Sequence, residues 1–277
     1  MRLIDEFLQG SPTTTLFHYT SARGLLGILD KGNIYASSAY HLNDSMEFRY
    51  AIELMVEQLR VRLNFEKGPW NTMYGQLLEQ LPSTAKDAQV FVASFSEEGD
   101  LLSQWMAYSG PSNGFALGLS PEHFEAARAA GFTLVRCVYD RTRQVELASA
   151  AIDAFCQSDG ELNEEAINKI LITAAALKHP GFVREAEWRL IKPLVLVSSE
   201  SRRILFREGR LGLVPYLSAP LVLHGGKFVP NAIHIGPSGD ASATEIAVNT
   251  LLYARGLKQF FATSEVKVVP SSTPYRP

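Results

Sequence analysis

Hydrophobic positions in this chain fall into two rhythms, and the changes between them mark its elements. Leu25, Ile28 and Leu29 recur at helical spacing; Thr20 or Ser21 can cap that helix and Gly32 can stop it. A short strand follows at 34–37, and then Phe48, Ile52, Met55, Leu59 and Leu63 form a longer helical stripe. Asp44 and Glu47 have capping-box spacing at its start. Residues 65–88 read as helix with loops, and Ile167, Ile170, Leu171 and Ala174 as a further helix capped by Asn163. Strands are predicted at 90–95, 115–119 and 132–139, and a β-rich run at 188–197 is broken by Pro193. Others are expected near 213–216, 232–235 and 266–269, with a last helix at 244–254 ending at Gly256. Strands and helices do not alternate regularly. The pattern therefore predicts an α+β fold with a mixed, largely antiparallel sheet rather than a doubly wound one. No repeat or linker divides the chain, so residues 1–277 read as a single domain with helical insertions near 45–88 and 146–180.

Composition narrows the class. The chain has 277 residues, 46% of them apolar and 20% charged, as in a globular protein with a sizeable core. A net charge of −3 argues against a dedicated nucleic-acid surface, which needs clustered Lys and Arg, though not against a nucleic acid held briefly as substrate. Cys137 and Cys156 suit a reducing compartment and read as free, buried thiols. The amphipathic N-terminus lacks the apolar core of a signal peptide, and the longest apolar candidate, 167–177, is short of a membrane span. The expectation is a cytoplasmic protein with no membrane partner.

Chemistry concentrates in three blocks. The first places His18 at the end of an apolar strand just before a capped helix, where it could meet a ligand near the helix N-terminus or be satisfied by a carbonyl. Tyr19 points to the opposite strand face, toward the core. In the second, 94–109, Gln104 and Tyr108 lie four apart on one helical face, so Tyr108 could stack on a planar ring while Ser103 or Gln104 binds its edge. Ser94 and Ser96 share a strand face; the competing reading is a structural helix packed through Trp105 beside a solvated acidic loop, 97–100. In the third, REAEWR, Glu185 and Glu187 fall on one face if the segment is a strand. Such a pair can stabilise a cationic transition state and orient a nucleophile, as glycosidic cleavage requires. Alternatively it is a solvated edge strand with Arg184 and Arg189 in surface ion pairs.

The 234–245 segment reads as strand, Gly-rich loop and helix; its amides from Gly236 to Gly239 could hold a phosphate, but an ordinary turn explains it better. Arg207 and Arg210 could supply positive charge for a phosphate or equally be solvated. No metal-ligand spacing is present, so no metal is expected.

The order HYTS, GLLGILDKGNIYAS, HLNDSMEF, SFS with LSQW and Tyr, then E-x-EWR, resembles a bacterial family known as domain of unknown function 2971. More distantly, His18-x-Thr20 followed by a Leu-rich helix, Gly and strand is similar to ADP-ribosyltransferases, especially the branch of toxins that target DNA. That resemblance implies NAD as substrate. It gives His18 the ribose contact, Glu187 the catalytic carboxylate, Glu185 the first place of the E-x-E pair, and Tyr108 (or Ser94 or Ser96) the nicotinamide face. The implied nucleotide surface comprises His18, Tyr19, Thr20, Ser94, Ser96, Ser103, Gln104, Trp105 and Arg207. It further implies transfer of ADP-ribose to a protein, a nucleic acid or water, a toxin or phage-defence role, and an antitoxin as partner. The other readings are a non-catalytic nucleotide sensor and a nuclease or phosphodiesterase using the same cleft.

Overall fold

The structure, a computed structural model, describes residues 3–41, 45–65, 67–108, 114–156, 164–195, 199–209, 212–238, 240–258 and 266–273. The expected caps Asp44 and Asn163, and the candidates Gly239 and Arg210, lie outside the described residues.

After α1 (Leu3–Leu8), β1 (Leu16–Thr20) leads through α2 (Ala22–Lys31) into β2 (Asn33–Ser38). Two long helices follow, α3 (Ser45–Phe65) and α4 (Pro69–Asp87), then β3 (Ala88–Ser96), α5 (Leu102–Tyr108) and β4 (Phe115–Leu119). Next come α6 (Glu125–Ala129), β5 (Thr133–Arg136), α7 (Arg141–Cys156), α8 (Glu164–Ala176) and β6 (Glu187–Val195). The chain continues through β7 (Leu205–Gly209), β8 (Gly212–Pro220), β9 (Ala232–Ile235), α9 (Ala241–Ala254) and β10 (Lys267–Pro270). The architecture is α+β. The strands form one mixed sheet in the order β10-β9-β4-β1-β3-β2-β8-β7, with β6 also on β3 and β5 on β6. The β10–β9 pair is parallel; the other strand pairs are antiparallel.

Local chemistry explains the helix that matters most here. Ser21 accepts from the Gly24 amide at the start of α2, and Gly32 ends it at φ 62°, a left-handed conformation that glycine takes without steric cost. Leu25, Ile28 and Leu29 are buried, as the periodicity predicts. The β6 strand departs from expectation by running straight through Pro193, opposite Val90. The Glu187 carbonyl accepts from Cys137 on the β5 side, so odd-numbered positions of β6 turn their backbone groups away from β3. Residue 193 lies beyond the last β5 pairing, Thr133 with Ile191, so the missing N–H breaks no ladder bond.

The central feature is a fork. β6 occupies one edge of β3 along its length, from Ala88 opposite Val195 to Ser96 opposite Glu187. The other edge is shared: β1 meets it at Ser96 and β2 at Val92 and Phe91. Between those contacts the two strands part, and α2 crosses over the gap. A separate apolar core covers each sheet face. On one face Val90, Val92 and Ile191 pack with α3, α4, α7 and α8; on the other Phe91, Phe95, Leu190 and Leu16 pack with α2, α6 and α9. Each fully buried large aliphatic side chain contributes about 1.5–3 kcal/mol. Both cysteines are free and buried.

Candidate functional site

A cavity of about 930 Å³ opens at the fork, at the upper end of the range for ligand sites. Its walls come from β1, α2, β2, β3, α5, β7 and β8. His18 sits where β1 leaves β3. Its Nδ1 lies 3.0 Å from the Ser94 carbonyl, an oxygen the splayed edge would otherwise leave unpaired. A carbonyl only accepts, so Nδ1 carries the proton and Nε2 is the lone-pair nitrogen. Burial lowers the His18 pKa below 6.5, only partly offset by the Ser94 bond, which keeps the ring neutral near pH 7. The first block thus offers the cavity a hydrogen-bond acceptor.

The second block supplies another part of the wall. Gln104, Ala107 and Tyr108, on one side of α5, line the cavity. Trp105 holds this helix in place: it is 2% exposed, donates from Nε1 to Asp100 at 2.8 Å, and packs on Tyr19 with ring centroids 4.6 Å apart. The Tyr19 hydroxyl donates to the Glu98 carbonyl and accepts from the Leu101 amide. Trp105 and the Tyr19 hydroxyl are therefore committed to structure rather than available to a nucleotide, although Tyr19 still borders the cavity. The 97–100 loop is also engaged, not merely solvated. Glu97 accepts from Trp188 and Arg136, and Asp100 from the Ser272 amide at 2.8 Å as well as from Trp105. Ser103 is exposed and outside the cavity wall. Tyr108 is 41% exposed, yet protein crowding around its hydroxyl, with the Glu187 charge nearby, pushes its pKa up to about 12. It remains a neutral donor at physiological pH.

The third block differs most from its strand reading. Glu185 ends a 3-10 turn, Pro180–Glu185, and Ala186 takes a left-handed conformation (φ 43°, ψ 49°) before β6 begins at Glu187. The two glutamates are not alternate positions of one strand. They meet because Lys178 Nζ donates to both, at 2.5 Å each. Arg189 Nε donates to Glu187 at 2.8 Å, and its Nη2 reaches Glu47 on α3 at 2.6 Å. Arg189 is 6% exposed, so it is a buried partner rather than a surface one. Burial alone would raise the Glu187 pKa; Arg189 and Lys178 override it and hold it near about 2. Burial outweighs the same two cations at Glu47, whose pKa is raised.

Ladder register decides the faces. Phe17, Ser96 and Glu187 stand opposite one another across β1, β3 and β6, so their side chains share one face, and His18 belongs to the other, against Phe95. Glu185 and Glu187 do not line the cavity. Ser96 is 2% exposed and spends its hydroxyl on the Glu185 carbonyl and the Glu98 amide, so it too is structural. Of the residues chosen from sequence, His18, Tyr19, Thr20, Ser94, Gln104, Tyr108 and Arg207 line the cavity; Ser96, Ser103, Trp105, Glu185 and Glu187 do not.

The sequence reading missed Arg23, Lys31, Asn33, Tyr35, Ser37, Tyr216 and Glu208, all in the wall. One signal was present: Arg23, Gly27 and Lys31 follow an i, i+4, i+8 spacing, opposite the apolar stripe of α2. The 234–245 turn is no phosphate cradle. The Gly236 amide donates to Gly114, and the Asp240 carboxylate caps α9 where an anion would sit. Among the described residues no cluster could hold a metal ion, and no helix is long and apolar enough to cross a membrane.

No curated protein and no solved structure matches this chain. Residues 104–190, which run from the α5 wall through the Glu185–Glu187 turn into β6, match a family described as a protein of unknown function, DUF2971.

Proposed function

We propose that the protein is an NAD-using, ADP-ribosyltransferase-like enzyme that cleaves the nicotinamide–ribose bond and passes ADP-ribose to a macromolecule or to water. The observation that carries this reading is the neutral His18 beside the fork, its acceptor nitrogen without a partner among the described residues, in a cavity whose wall Tyr108 and Gln104 also share. His18 Nε2 would accept from a ribose hydroxyl. Gln104 would bind the carboxamide and Tyr108 would pack on the nicotinamide ring. The glycosidic C–N bond breaks with its electron pair leaving on nicotinamide, and the oxygen that attacks the ribosyl cation then loses its proton. Glu208 is the carboxylate in the cavity wall and would face the developing positive charge. Glu187 enters this reading only as the charge behind Tyr108. A toxin or phage-defence role with a cognate antitoxin would follow, but rests on analogy.

One observation favours a second reading, a non-catalytic nucleotide sensor. Both Glu187 oxygens are taken by Lys178 and Arg189, and neither glutamate of the third block lines the cavity, so among the described residues Glu208 has no second carboxylate beside it in the wall. Incubation with NAD separates the two. Nicotinamide release that is lost in His18→Ala and Glu208→Gln supports the enzyme. Binding of NAD without release supports the sensor, and absence of both release and binding rejects each.

A further inference from the structure

The cations of the cavity lie at two poles. β1 and β2 both run antiparallel to β3 and hence parallel to each other, so the α2 crossover returns between them. Its start, with Arg23, therefore lies toward the end of β2, and its finish, with Lys31, beside the start of β2. Arg207 belongs to the Arg23 pole, because its Nη2 donates to Ser37 at 3.0 Å near the end of β2. Eight residues of helix separate Arg23 from Lys31 by about 12 Å. A diphosphate, with its phosphorus atoms adjacent, can occupy one pole but not both.

The Lys31 pole has its own unmet needs. Neither Arg23 nor Lys31 has a hydrogen bond or ion pair among the described residues, although both line the cavity. Asp30, the neighbouring carboxylate, is engaged by Arg255 and so does not neutralise Lys31. Two residues on, Asn33 Oδ1 is buried without a hydrogen-bond partner. An unpaired buried acceptor costs about 1–3 kcal/mol, which a ligand hydroxyl or N–H would recover. The face between the poles carries Gly27, whose Cβ position is open, which lets a ligand lie close to the helix.

We propose that this cavity is built for a ligand with two separated anionic groups: a dinucleotide that carries a phosphate on its adenosine ribose in addition to its diphosphate. The diphosphate sits at the Arg23–Arg207 pole, the ribose phosphate at Lys31, and a neighbouring hydroxyl or amino group meets Asn33. The placement of the diphosphate rests on the dinucleotide reading above; the second anion pole does not.

Calorimetric titration of the full chain tests this with two pairs of probes, NADP against NAD and adenosine 2′,5′-bisphosphate against AMP. The phosphorylated member of each pair is expected to bind about tenfold or more tightly. Lys31→Ala is expected to bring each ratio to within about twofold of unity, whereas Arg23→Ala weakens both dinucleotides and keeps the ratio. Equal affinities in both pairs, or a ratio unmoved by Lys31→Ala, overturn the proposal. If the bisphosphate is preferred over AMP while neither dinucleotide binds, the dinucleotide reading fails and the second anion pole stands. If NAD and NADP bind equally, the dinucleotide reading survives and this inference falls. If none of the four probes binds, both fall.

Discussion

At His18 the Ser94 carbonyl decides which ring nitrogen keeps the proton, and burial decides that the ring stays neutral. Together they make Nε2 an acceptor, a role a charged imidazole could not fill. The sign of the pH dependence follows: with a pKa below 6.5, His18 is neutral throughout the neutral and alkaline range. Nucleotide affinity is expected to be flat there and to fall as pH drops through the lowered His18 value. His18→Phe should cost about 1 kcal/mol of binding and abolish that acid limb. Affinity measured from pH 8 down to the onset of acid unfolding checks both, and an acid limb that persists in the variant would assign it to another group. Histidine identity and strand position were legible in sequence. The tautomer was not, because it depends on a carbonyl 76 residues away.

Among the elements, α2 serves two surfaces at once. One stripe is buried core; the other faces the cavity with Arg23, Gly27 and Lys31. A Cβ on Gly27 would meet nothing within 4 Å, whereas one on Gly24 would fall 1.9 Å from Thr20 Oγ1. Gly27→Ala is therefore expected to stabilise the protein by about 1 kcal/mol through helix propensity, read as a higher Tm. Gly27→Phe should leave the fold intact and put a ring into the cavity between Arg23 and Lys31, so nucleotide binding is weakened while the melting transition remains cooperative. Undiminished binding in that variant would place the ligand elsewhere. The α5 helix shows the same division, with Trp105 inward and Gln104 and Tyr108 toward the cavity. Helical spacing alone put Gln104 and Tyr108 together. It could not show that Trp105 is committed to Asp100 and Tyr19.

Across the whole molecule, the buried ion cluster joins the helical layer to the sheet, since Glu47 comes from α3, Lys178 from the segment after α8, and Glu187 and Arg189 from β6. Removing one charge strands its partners. Glu187→Gln is expected to cost about 3–5 kcal/mol, measured by denaturant unfolding. A cost under about 1 kcal/mol would show that the cluster contributes little. The native Glu187 pKa of about 2 lies below its ordinary 4.5, so its stabilisation is fully present above 4.5 and is lost as pH falls from there toward 2. Glu47, with a raised pKa, acts in the opposite sense. Acid unfolding of wild type should therefore be steeper below pH 4.5 than that of Glu187→Gln.

Period-two and period-3.6 patterns are local, so the sequence by itself determined α2, α3, α8 and α9, most strands, the α+β class and the residues presented by β1 and α5. It also held the Arg23–Gly27–Lys31 spacing, which had no meaning until a cavity lay beside it. Tertiary structure decided which groups share that cavity. β3 has two edges, and the division of one between β1 and β2 cannot be read from either strand. The left-handed turn at Ala186 then sends Glu185 and Glu187 to Lys178 and Arg189, on the sheet face away from His18. Three blocks adjacent in chemical logic thus became two structures: a cavity walled by the first and second, and a buried ion cluster built around the third.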